Sequence, residues 1–229
     1  MTTNFAVGTN DRESIPIFRS APAQPGPLLV IVPSIFGIGP DVIQYAELFS
    51  QTGALVYALD SFWRVDSGPL PIPQGSRRAM QRMQMVDPKN VLSDVLSAIE
   101  YGQSDELCNG SVLVLGICFG GAFAVQAASR LKLDGLATWH GGNLLSVLDS
   151  DALEDTHVQM DFGKVDPLIP MTDVRTIQSA LQDLKNAHIR VHEASGHGFT
   201  HTGTAKYNPQ AASAAQQGVL DLIQICLSL

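Results

Sequence analysis

Cys118, Asp166 and His197 are residue types that act together in nucleophilic catalysis: a thiol to attack, an imidazole to move protons, and a carboxylate to hold the imidazole. Cys118 lies in Ser111-Val-Leu-Val-Leu-Gly116-Ile117-Cys118-Phe119-Gly120-Gly121, an apolar strand followed by a glycine-bounded turn and a small-residue helix start. This is a nucleophile elbow with cysteine where serine is usual. So sharp a turn strains the backbone of the nucleophile and excludes bulk beside it, which accounts for Gly116 and Gly120. A helix N-terminus beneath the sulfur favours negative charge there. Taken alone, a free cysteine in such a turn is as often a small buried hydrophobe. Two further segments, in the order nucleophile, acid, base, tell against that. Gly163-Lys-Val-Asp166-Pro-Leu-Ile-Pro170 places a carboxylate in a proline-bounded loop after one apolar run, and Ala194-Ser-Gly196-His197-Gly198-Phe199 places an imidazole between two glycines after the next.

These loops need strands to carry them. Short apolar runs alternate with amphipathic stretches from Leu28 onward, the pattern of an α/β fold with a mostly parallel sheet and helices on both faces. The spacing predicts strands over Leu28–Val32, Ala54–Leu59, Ser111–Leu115, Gly135–Trp139, His157–Phe162 and His188–Glu193. Runs such as LLVIV and SVLVL suit strands covered on both faces. Helices are predicted over Pro40–Gln51, Pro88–Tyr101, Gly121–Leu131, Thr172–Asn186 and Pro209–Leu227. Phe5–Phe18 reads as an antiparallel hairpin turning near Asn10-Asp11, and residues 21–27 as a connector. Arg64–Asp87, with its prolines, glycines and a basic, methionine-rich run from Arg77 to Met85, reads as an excursion over the carboxyl edge of the sheet.

A chain of 229 residues fits one domain spanning 1–229, and 45% hydrophobic with 16% charged residues is the composition of a self-sufficient globular fold. A net charge of -8 without a basic stripe argues against nucleic acid. The sequence has no signal-like segment and no run long enough for a membrane span, so a cytoplasmic protein, a monomer or small homo-oligomer, is expected. Cys108, Cys118 and Cys226 are odd in number and widely spaced, which speaks against both a disulfide framework and a cysteine-rich zinc site.

With GICFGG at Gly116–Gly121, GKVDPLIP at Gly163–Pro170, SGHGF at Ser195–Phe199 and PSIFG at Pro33–Gly37, the chain resembles the dienelactone hydrolases, or carboxymethylenebutenolidases, of the α/β-hydrolase superfamily. The likeness implies an α/β-hydrolase fold and a triad of Cys118, His197 and Asp166. The PSIFG loop is then expected to line the nucleophile, so that the backbone N–H groups of Ile35 and Phe119 form the oxyanion hole. Phe36 and Phe199 join the expected pocket lining, and Asp60, Trp63 and Arg64 match the strand-end segment of the family.

The departures bear on substrate. Ser34 stands where the family carries a glutamate that helps generate the thiolate. Gly198 and His201 stand where a serine and a substrate-binding arginine are typical. Arg77, Arg78 and Arg82 are the remaining candidates to clamp a substrate carboxylate, although each suits a solvated helix face equally well. His140, ending GLATW, is expected either to border the pocket or to be a core-edge histidine.

The expected reaction is hydrolysis of a small-molecule ester or lactone through a thioester, with no metal or organic cofactor. One alternative is a non-catalytic or regulatory protein on the same scaffold. Another is a metal site built on Cys118, His140, His197 and His201, for which the sequence offers no close ligand-spacing motif.

Overall fold

The computed structural model describes residues 2–8 and 14–228. Its strands are β1 (Thr2–Gly8), β2 (Ser14–Ser20), β3 (Gly26–Val32), β4 (Leu55–Leu59), β5 (Cys108–Ile117), β6 (Gly135–Trp139), β7 (His157–Gly163) and β8 (Ala187–His192). They form one sheet in the order β1-β2-β4-β3-β5-β6-β7-β8. From β4 to β8 all neighbours are parallel, and β1 and β2 add an antiparallel hairpin at the β4 side. The hairpin pairs Phe5 with Ile17 and Gly8 with Ser14. The turn expected near Asn10-Asp11 lies outside the described residues.

The helices are α1 (Pro40–Gln51), α2 (Ser76–Met85), α3 (Pro88–Gln103), α4 (Gly120–Leu131), α5 (Met171–Leu181) and α6 (Pro209–Leu227). Three begin where proline occupies the first turn, a position in which its missing N–H costs nothing. Asp87 and Asn208 cap α3 and α6 by accepting backbone N–H groups with their side chains.

Every residue of β3 and β4 is buried, as two-sided coverage requires. Leu28, Val30 and Val32 pack on one face with Val91 and Val95 of α3, Ala124 and Ala127 of α4, and Val174 of α5. Leu29 and Ile31 pack on the other with Val42 and Phe49 of α1 and with Val219 and Ile223 of α6. The strand period of two therefore divides the core into two layers. No helix among the described residues is long and apolar enough to cross a membrane.

Beyond shifts of a few residues at several strand and helix ends, two segments differ from expectation. The excursion contains a helix that was not among those predicted, α2 over the run Arg77–Met85, and it buries only Ala79 and Arg82. With so little apolar surface turned inward, its periodicity carries almost no signal. The helix expected over Thr172–Asn186 ends at Leu181, after which Leu184 and Ala187 donate to Leu181 and Leu184 in a turn leading into β8.

Candidate active site

The elbow joins β5 to α4. Cys118 has a φ of 53°, in the left-handed region that non-glycine residues rarely occupy. Its N–H donates to Trp139 O at 3.0 Å, and its carbonyl accepts from Gly121 and Gly142 at 3.1 and 3.0 Å. These bonds hold the strained residue against β6. A Cβ on Gly120 would stand 2.0 Å from Val32 O, and one on Gly116 would stand 2.6 Å from Gly120 O. Both glycines are thus demanded by close approach.

Asp166 follows β7 and His197 follows β8. A Cβ on Gly163 would meet Ser195 O at 2.3 Å, and Val165 N–H donates to that same carbonyl at 3.0 Å, so the two loops are packed directly together. His197 lies with Nε2 3.0 Å from Cys118 Sγ, and its Nδ1–H donates to Asp166 Oδ2 at 2.8 Å. The other carboxylate oxygen accepts the N–H groups of Leu168 and Ile169 at 2.8 and 3.2 Å. Burial of the ring opposes its protonation, but hydrogen bonds to Asp166 and Cys118, together with their charges, outweigh that and push the His197 pKa up to about 9.

The PSIFG loop lies between β3 and α1. Ser34 is buried, and its Oγ accepts Phe36 N–H at 3.3 Å while its carbonyl accepts Gly37 N–H at 2.9 Å. Ser34 therefore shapes the loop turn. Among the described residues neither Ile35 N–H nor Phe119 N–H has an acceptor. Phe36 is partly exposed, and its ring stands edge-on to His201 with centroids 5.9 Å apart.

The arginine candidates separate. Arg77 and Arg78 are exposed, and Arg78 is paired with Asp66. Arg82 is 1% exposed and works as a strut: Nε donates to Ile35 O at 2.9 Å, and Nη1 donates to Asp66 O and Gly68 O at 2.9 and 2.7 Å. The guanidinium also lies 4.2 Å over the Phe62 ring, and its Nη2 has no hydrogen-bond partner among the described residues. Asp60 accepts from Ser67 and Gly68, and Trp63 and Arg64 both bond Asp94. These residues pin the segment between β4 and α2 beside the PSIFG loop.

His140, Phe199 and His201 stand behind the imidazole of His197. His140 is fully buried, with Nε2 hydrogen-bonded to Thr200 Oγ1 at 2.9 Å and its ring 4.9 Å from that of His197. Burial foremost, and then the charges of His197 and His201, hold its pKa well below the ordinary value, so it is neutral. Phe199 is fully buried between the rings of His140 and His192 at 5.3 and 5.0 Å, which makes it core packing rather than exposed lining. His201 Nδ1–H donates to Asp41 Oδ2 at 2.7 Å, with both residues buried. Asp41 and Thr200 have no sequence signal: the first looks like an ordinary acidic residue in a helical first turn.

An eight-stranded, mostly parallel sheet with an elbow at a central strand defines an α/β hydrolase. The sequence profile of the dienelactone hydrolase family matches residues 16–227, and the chain belongs to that family. A carboxymethylenebutenolidase of Pseudomonas putida is 24% identical over 227 residues, covering 97% of this chain and 96% of that protein. A dienelactone hydrolase-like promiscuous phosphotriesterase from metagenomic libraries superposes with a TM-score of 0.77 at 18% identity, covering 98% of each chain. A dienelactone hydrolase from Anabaena variabilis gives 0.73 at 15% identity, covering 99% of this chain and 98% of the other.

Proposed function

We propose that this protein, acting as one domain, hydrolyses a small carboxylic ester or lactone with Cys118 as nucleophile, His197 as acid and base, and Asp166 as its support. The observation that carries this reading is the unbroken row from sulfur to imidazole to carboxylate at 3.0 and 2.8 Å. Relatives named as carboxymethylenebutenolidases, which act on a lactone, agree with it.

A histidine that keeps its proton up to about 9, with Nε2 3.0 Å from the sulfur, is placed to offset the negative charge of an attacking thiolate. That would compensate for the serine at position 34, which brings no carboxylate to the sulfur. The thiolate attacks the carbonyl carbon, a C–S bond forms, and the oxyanion is received by the N–H groups of Ile35 and Phe119. Collapse breaks the C–O bond, and the departing alkoxide takes the proton of His197. The neutral imidazole then takes a proton from water as the oxygen attacks the thioester, and rupture of the C–S bond restores the pair.

The test is a panel of aryl esters and five-membered unsaturated lactones with the wild-type protein and Cys118→Ala. Turnover is expected only with the thiol present, and an acyl adduct on Cys118 should be trapped by rapid quench and mass spectrometry. Undiminished turnover by folded Cys118→Ala rejects the assignment.

A further inference from the structure

Cys118, His140 and His197 present one ligand atom each, all within 4.8 Å of one another. Two of these residues belong to the proposed reaction; His140 does not. It sits at a φ of 39°, fully buried, with Nε2 held by Thr200 and with Nδ1 lacking a hydrogen-bond partner among the described residues. A buried ring nitrogen without a hydrogen-bond partner is unfavourable, so its presence beside a thiol and a second imidazole asks for a reason.

We propose that these three side chains form a binding site for a thiophilic divalent cation of the zinc class, which reversibly silences the nucleophile. One thiolate and two neutral imidazoles are the donor set that zinc prefers over magnesium or calcium, with a fourth position open to water. At zinc's usual bond lengths to sulfur and nitrogen, tetrahedral ligands stand roughly 3.4–3.6 Å apart. The Sγ–Nε2 separation of 3.0 Å would open slightly, and the widest gap of the trio would close by about an ångström. His201, the other histidine of the cluster, is committed to Asp41 and is no ligand.

The pair of Cys118 and His197 carries one proton between thiolate and imidazolium. A sulfur–metal bond and a nitrogen–metal bond replace the hydrogen bond, and that proton leaves to solvent. His140 enters as a neutral ring and releases none. No bond to carbon forms or breaks, and a chelator reverses the step.

Silencing rests on the proposed role of Cys118, but metal binding does not, and the two are measured separately. Purified full-length protein is titrated with cobalt(II) as a spectroscopic probe and with zinc chloride by calorimetry. One equivalent is expected, with a sulfur-to-cobalt charge-transfer band that disappears in Cys118→Ser. His140→Asn suits the positive φ and should weaken zinc binding at least about tenfold. In the unmodified protein, zinc but not magnesium should slow carbamidomethylation of Cys118 by iodoacetamide, a readout independent of whether any variant folds. A cobalt spectrum without the sulfur band, zinc affinity unchanged in folded His140→Asn, or alkylation indifferent to zinc overturns the proposal. If no ester or lactone is turned over, the hydrolytic reading fails while these metal measurements still decide this one. Where turnover is present, zinc should abolish it and EDTA restore it.

Discussion

Arg82 donates from Nε to the carbonyl of Ile35 at 2.9 Å, so a side chain from α2 fixes the Ile35–Phe36 peptide of the PSIFG loop. The same guanidinium holds the carbonyls of Asp66 and Gly68. Arg82→Leu leaves three acceptors without their donor and is expected to cost about 3 kcal/mol of stability. It should also lower kcat about tenfold or more with little change in KM, because in the proposed reaction the N–H of Ile35 receives the oxyanion and not the ground-state ester. Arg82→Lys cannot span all three carbonyls and should recover only part of either loss. Urea denaturation and steady-state kinetics of the two variants check both expectations.

Asp166→Asn should separate structure from chemistry. The remaining Oδ1 still accepts Leu168 and Ile169 N–H, so the loop is retained. An amide facing Nδ1 would donate where the carboxylate accepts, turning the imidazole so that Nε2 carries the hydrogen and no longer takes a proton. We expect kcat to fall by about 10²–10⁴ at neutral pH with KM little changed, as for other triads whose histidine is held in the wrong tautomer.

The raised pKa of His197 predicts how stability depends on pH. Because the folded state holds this proton more tightly than the unfolded chain, the contribution is fully present below the ordinary histidine value near 6.5 and is lost as pH rises through about 9. Denaturation midpoints between pH 6 and 10 should decline across that window. His197→Asn should flatten the decline, and an equal slope in that variant would locate the effect elsewhere.

Gly120→Ala tests the elbow directly. The added methyl would press against Val32 O at 2.0 Å, backbone against side chain with no flexible end to yield. A loss of about 3 kcal/mol is expected, along with a displaced Cys118 and slower alkylation of its thiol. Thermal unfolding and iodoacetamide kinetics measure the two consequences.

The parts of this molecule that depend on local pattern were legible before any coordinates. Pro40, Pro88 and Pro209 marked three helix starts, and the glycine-flanked Cys118 marked the elbow between β5 and α4. The loops bearing Asp166 and His197 were visible because each follows an apolar run that became a strand. What escaped depends on partners remote in sequence. His201 and Asp41 are 160 positions apart, and nothing near either residue announces the other. Arg82 read equally as a clamp for a substrate carboxylate or as a solvated helix face, because one basic residue in an amphipathic helix is indistinguishable from its neighbours until the carbonyls it meets are known. Phe199, expected at the pocket, is instead enclosed by two histidines whose rings no periodicity could place.

The strand that delivers His197 is the last of the sheet, with a neighbour on one side only and mostly half-covered side chains. Fraying at that margin would carry the imidazole away while the central strands stay paired. Heat inactivation is therefore expected to run ahead of any change in circular dichroism, and a ligand that spans sulfur and imidazole would staple this edge to the centre of the sheet.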